Sequence, residues 1–209
     1  MRIIGLTGSI GMGKSTALLF FKQKKVPVFD ADQYIHLWQN NWQKKMKEIL
    51  SSNNKDLFVH NKLDRHKLRE EVIKNPSLLK KLEEAFHPII RHYEQKFIKF
   101  WRGHRAPLIV LDIPLLYETK AERFCSEVIV VTAPRFIQLL RLEKRLGMTK
   151  DFLSLIEKNQ WSDYRKRRYA DYVVKTSLTK RHTHYQLFYL LKQNYSKKTN
   201  RKIYARNCS

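Results

Sequence analysis

Short continuous apolar runs rich in β-branched residues alternate along the chain with longer stretches in which apolar positions recur every three or four residues. That alternation predicts strands separated by helices. The first run, Arg2-Ile3-Ile4-Gly5-Leu6-Thr7, reads as a buried strand, followed by a glycine-rich turn and a helix over Ser15–Lys22. A second strand is expected over Val26–Phe29, running into Asp30-Ala31-Asp32. From Gln33 to about Arg102 the spacing is helical throughout, with Trp38, Trp42, Met46 and Ile49 on one core-facing stripe and Tyr93, Phe97, Phe100 and Trp101 on another. Pro107–Asp112 and Glu127–Thr132 are unbroken apolar runs of the kind buried on both faces of a parallel sheet. Pro134–Arg168 returns to helix with a high density of basic groups, and Tyr172-Val173-Val174 is a last short strand.

Strands alternating with helices place the chain in the α/β class, as a doubly wound fold. The stretch of ~70 residues between the second and third strands is too long for a simple crossover and is expected to form a helical subdomain. Residues 1–32 and 104–191 are therefore read as the core, 33–103 as the insert and 192–209 as a basic extension with six Lys or Arg and no acid, expected to be loosely ordered.

Composition changes this picture in one respect. Of the 209 residues, 43% are hydrophobic and 29% charged, as in globular chains, but 42 Lys and Arg stand against 19 Asp and Glu, a formal charge of +23. Such an excess predicts attraction to polyanions without choosing among nucleic acid, anionic lipid and phosphorylated small molecules. The two cysteines, Cys125 and Cys208, form neither a CxxC pair nor a Cys/His ligand spacing, so neither a disulfide framework nor a zinc site is indicated, and a cytoplasmic protein is expected. No apolar run reaches the ~18 residues of a membrane span, and no signal peptide or membrane partner is expected.

The chemistry is concentrated near the N-terminus. Gly8-Ser9-Ile10-Gly11-Met12-Gly13-Lys14-Ser15 satisfies GxxxxGK[ST] and lies directly after a predicted strand and before a predicted helix, where a phosphate-binding loop must lie. Gly8, Gly11, Met12, Gly13, Lys14, Ser15 and Thr16 are thus candidate nucleotide-binding residues: backbone N–H groups point inward and the helix N-terminus adds its positive end. Lys14 would reach the β- and γ-phosphates, and Ser15 would ligate magnesium. This loop is shared by ATPases, GTPases and small-molecule kinases. Asp30 and Asp32 follow the second strand, at the sheet edge where open α/β folds bind ligands, and a carboxylate there can take a proton or organise a metal ion.

In order, the chain carries GLTGSIGMGKST (Gly5 to Thr16), VPVFDAD (Val26 to Asp32), LDRHKL (Leu63 to Leu68), FHPII (Phe86 to Ile90), DIPLLYE (Asp112 to Glu118), QLLRLEKR (Gln138 to Arg145), Asn159-Gln160 and RYADYVV (Arg168 to Val174). This combination resembles the dephospho-CoA kinases, over Ile3 to about Val174. The resemblance implies a P-loop kinase core with a five-stranded parallel sheet, a helical CoA-binding insert and a helical lid over about 139–168. It implies ATP and Mg²⁺ as cofactors and transfer of the γ-phosphate to the ribose 3′-hydroxyl of dephospho-CoA. It implies Asp32 as the base, Asp30 as a helper near the metal, Arg141 and Arg145 as lid arginines over the phosphates, and Arg65 and His87 as acceptor-binding residues. The chain departs from the family in having Ser9 and Met12 in the loop and Lys175-Thr176-Ser177 where an Asn and Gly are usual, so adenine-side contacts are not carried over to the last segment.

Alternatives remain at this point. Pro88 after His87 is also compatible with a helix start. A nucleoside monophosphate kinase shares the core, and a nucleic-acid-binding protein that retains a P-loop would suit the charge, although no zinc finger or RRM motif is present and no specific nucleic-acid partner is expected. A monomer acting on small molecules is expected. Nine Lys or Arg against four acids between Leu139 and Arg168 concentrate positive charge in the lid segment, which suits two polyanionic substrates.

Overall fold

The computed structural model describes residues 1–31, 33–34, 50, 57–59 and 62–192. Asp32, the Trp38 to Ile49 stripe, the side chain of Arg65 and residues 193–209 lie outside the described residues.

The core is a five-stranded parallel sheet built from β1 (Arg2–Thr7), β2 (Val28–Asp30), β5 (Leu108–Asp112), β6 (Glu127–Thr132) and β7 (Tyr172–Lys175), in the order β2-β5-β1-β6-β7. β1 is central because its Ile-Ile-Gly-Leu run can be buried on both faces. Ile4 and Leu6 face a cluster with Phe21 of α1 (Lys14–Gln23), while Ile3 faces one with Phe29, Ile109 and Val130. Gly5 leaves room on that strand for Leu116 and Cys125, since a Cβ would lie 2.6 Å from Leu116 Cδ1 and 2.7 Å from Cys125 Sγ. The register pairs Leu6 with Asp112 and Asp112 with Asp30, which brings the ends of β1, β5 and β2 to one edge.

The insert departs from a purely helical reading. A two-residue hairpin, β3 (Phe58–Val59) with β4 (Lys62–Leu63), precedes α2 (Arg65–Lys74) and the long α3 (Pro76–Gly103). Asp64 caps α2 by accepting from the His66 and Lys67 N–H groups. Pro88 lies inside α3, so His87 neither caps nor starts a helix; the proline leaves the Glu84 carbonyl without its helical donor. Tyr93, Phe97 and Trp101 pack on the core as expected, with Phe97 against Phe29, but Phe100 is exposed and lies against His104 instead. It stands one position off the 97/101 seam, which turns it out of the buried stripe.

After β6, the predicted basic helical stretch resolves into α4 (Arg135–Glu143), α5 (Lys150–Asn159) and α6 (Asp163–Tyr169), and among the described residues a further helix, α7, covers 180–192. Thr149 and Ser162 cap α5 and α6. Phe152 and Leu155 of α5 join the insert's own apolar cluster of Leu57, Val72, Leu78 and Leu82. Arg69 of α2 donates to the Leu146 carbonyl in the α4–α5 turn at 3.3 Å. No helix among the described residues is long and apolar enough to cross a membrane.

Candidate active site

The loop between β1 and α1 needs left-handed backbone at Gly11 (φ 77°) and Gly13 (φ 84°), the latter at the N-cap of α1. Lys14 opens the helix, with Ser15 exposed beside it and Thr16 donating its N–H to the Gly13 carbonyl at 3.0 Å. Met12 is buried under the loop, and its sulfur accepts the Ala133 N–H at 3.2 Å. Gly8 sits against Val131, where a Cβ would come within 2.5 Å of Val131 Cγ2.

The loop faces a cleft of about 970 Å³ that is also lined by Asp30, Asp112, Arg141 and Arg145. Lys14 Nζ is bound to Asp112 Oδ1 at 2.5 Å, and Asp112 is almost fully buried. Asp112 was legible in the sequence only as the acid ending an apolar strand; the pairing links residues 98 positions apart. Asp30 stands beside Asp112 in the register, with one carboxylate oxygen 3.2 Å from Lys22 and the other accepting the Gln33 N–H.

Arg141 and Arg145 both line the cleft but differ in attachment. The Arg141 guanidinium donates to the Gly11 carbonyl at 3.2 Å, to Thr176 Oγ1 at 3.1 Å and to the Thr176 carbonyl at 2.5 Å. Thr176 Oγ1 in turn donates to the Met12 carbonyl at 2.6 Å. Thr176, in the segment that departs from the family pattern, thereby clamps the loop to α4. Arg145 is exposed, one turn further along, with no ion-pair partner among the described residues.

The cleft shares Leu79, Glu83, Pro114, Leu115 and Asn159 with a second cavity of about 710 Å³ between α3 and the loop after β5. Its lining is largely apolar, and it contains His87, Arg91 and Phe124. The Arg91 guanidinium lies 3.3 Å from the Phe124 ring centroid and is held by Glu94 at 2.6 Å. Partial burial, and then the nearby Arg91 charge, push the His87 imidazole below its usual range. Burial pushes the Glu83 and Glu94 carboxyls up, Glu83 also feeling Glu118 while the Arg91 hydrogen bond and charge oppose the shift at Glu94. Of the expected site residues, the structure thus brings the loop, Lys14, Ser15, Asp30, Arg141 and Arg145 to one cleft, and His87 to the adjoining one.

A phosphate loop opening into an apolar cavity made by an insert fits a kinase with an extended acceptor. A family profile described as dephospho-CoA kinase matches residues 2–180. The chain belongs to the dephospho-CoA kinase family. It is 42% identical over 177 residues to the dephospho-CoA kinase of Rhizobium meliloti, covering 85% of this chain and 90% of that one. It is 38% identical over 191 residues to that of Bartonella quintana, covering 91% and 97%. A solved structure from Thermus thermophilus superposes with a TM-score of 0.72 at 29% identity, over 92% of this chain and 97% of the other.

Proposed function

We propose that the chain transfers the γ-phosphate of ATP to the ribose 3′-hydroxyl of dephospho-CoA. The observation that carries this reading, beyond family membership, is the shared wall between the phosphate cleft and the apolar cavity. A nucleotide seated on the loop and an acceptor lying along α3 meet at Leu79, Pro114 and Leu115.

In this reading the inward N–H groups of the Gly8–Thr16 loop and the N-terminus of α1 hold the ATP phosphates. Lys14, oriented by Asp112, neutralises charge on the transferring group, and Arg145 adds a second positive group from the lid side. Arg141 holds the loop and the Thr176 segment together. Asp32, two residues past the strand end that carries Asp30, accepts the proton of the 3′-hydroxyl. His87 and Arg65 bind the acceptor. The donors at the sheet edge are a hydroxyl, Ser15, and the carboxylates of Asp30 and Asp112, a set of hard oxygens that suits magnesium. Ser15 and Asp30 would hold it, and it would neutralise the β- and γ-phosphate oxygens. Positioning and charge stabilisation supply most of the rate in such transfers, which is why the residues gathered here are cations, carboxylates and backbone donors.

The test is a coupled assay offering dephospho-CoA beside AMP, CMP and dTMP. Turnover of dephospho-CoA is expected, reduced by about 10² or more in Lys14→Ala and Asp32→Asn. Phosphorylation of a monophosphate in its place would assign the chain to the nucleoside monophosphate kinases. Normal turnover in Asp32→Asn would remove that residue as the base.

A further inference from the structure

Lys166 is a charged residue that the site described above does not use. Its neighbours on α6, Arg165, Arg167 and Arg168, are exposed, whereas the Lys166 side chain is 0% exposed. Burial pulls its ammonium below the usual lysine range and the Glu118 carboxylate opposes that shift. An ion in such a place persists only where partners hold it. Nζ lies 3.0 Å from Glu118 Oε1 and donates to the Pro114 carbonyl at 3.1 Å. Both acceptors belong to the loop that follows Asp112, the residue bound to Lys14.

Two further contacts extend the connection. The Pro114 carbonyl also accepts from Thr7 Oγ1 at 3.0 Å, at the end of β1 immediately before the phosphate loop. Glu118 Oε1 also accepts the Trp161 N–H at 2.6 Å, at the turn between α5 and α6, and the Trp161 ring stacks on Tyr117 with centroids 5.3 Å apart and planes 8° apart. One sealed ammonium therefore joins the floor of the phosphate site to the helical arm whose α5 lines the cleft.

We propose that Lys166 is a positioning residue for phosphoryl transfer: it holds the Pro114 carbonyl and the Glu118 carboxylate together, and so fixes the Asp112 and Lys14 pair and the arm over the transferring phosphate. The inference rests on the kinase reading above. A group that acts in this way affects the rate of transfer more than the binding of either substrate, since Lys166 itself reaches neither.

Full-length Lys166→Met, Glu118→Gln and the double variant are compared with the unaltered chain, with ATP and dephospho-CoA each varied, well below every protein's thermal midpoint. Lys166→Met is expected to lose thermal stability, because Glu118 is left buried without its counter-charge. Its kcat is expected to fall about 10-fold or more, with both KM values within about threefold. The double variant removes the stranded charge and regains thermal stability, yet its kcat stays low because nothing replaces the ammonium on the Pro114 carbonyl. A double variant in which kcat returns together with stability overturns the proposal, as does a Lys166→Met kcat within about twofold of the original. Should Lys166→Met not fold, the double variant decides on the same two readings. Absence of dephospho-CoA turnover in the unaltered chain would refute the acceptor assignment instead, and the comparison would then be made on ATP hydrolysis without acceptor, where the same pattern is expected.

Discussion

Asp112 and Lys14 form a close pair at 2.5 Å in a site that must also receive a polyphosphate. The carboxylate holds the Lys14 ammonium in the cleft, so an incoming nucleotide meets a positive charge already in place, and less ordering is left to the reaction itself. Asp112→Asn keeps the shape and removes the charge. Its kcat is expected to drop about 10-fold or more with a raised KM for ATP, measured by initial rates; an unchanged kcat would mean that the pair has no part in transfer. His87 offers a different measurement. Its folded-state pKa is depressed, so the folded state binds the proton less readily than the unfolded one, and the stability tied to its neutral form is present above pH ~6.5 and lost as pH falls through that value. The thermal midpoint of the original chain should therefore fall faster than that of His87→Gln between pH 7.5 and 5.5, while parallel curves would show that the imidazole is not strained by its neighbours.

At the level of elements, the β1–loop–α1 unit is the part that the sequence specifies most completely. β-branched residues, two glycines at positive φ and a helix-opening lysine follow one another without a gap. Gly13→Ala tests that unit. The left-handed backbone costs an alanine about 1–2 kcal/mol, and its Cβ would meet Thr176 Oγ1 at 2.8 Å and Arg141 Nη1 at 3.0 Å. A thermal midpoint several degrees lower and weakened nucleotide binding are expected, read by calorimetry. What the sequence concealed was of two kinds. The β3–β4 hairpin has two residues per strand, shorter than any alternation that periodicity can register, and it was absorbed into a helical reading. Asp112, Lys166 and Thr176 were hidden for another reason: each acquires its role from a partner far away in the chain, at Lys14, Glu118 and Arg141. Lys166 in particular sits among arginines that are exposed, and nothing local distinguishes the one cation that turns inward.

Across the whole molecule the charge of +23 gains a direction. Arg141 on α4 and Arg145 just past its end line the phosphate cleft with Lys14 and Lys22, against Asp30, Glu83 and Asp112, so a nucleotide approaches through a basic mouth, whereas Glu83, Glu84, Glu94 and Glu118 outnumber Arg91 and Arg123 around the adjoining cavity. Long-range attraction of this kind is screened by salt, whereas the contacts inside the cleft are screened much less. Raising ionic strength from about 50 to about 500 mM should increase the KM of ATP several-fold with kcat nearly constant, and a KM for ATP indifferent to salt would leave the excess charge without a kinetic role.

The contact between Arg69 and the Leu146 carbonyl, together with Phe152 and Leu155 in the insert's apolar cluster, has a thermodynamic consequence. On the proposed placement of donor and acceptor, the two walls that enclose them are packed on each other, so a ligand that steadies one steadies the other. Donor and acceptor affinities are then tied by one coupling free energy: whatever factor ATP confers on acceptor binding, the acceptor must confer on ATP, and the two products are bound by the same reciprocity as they leave.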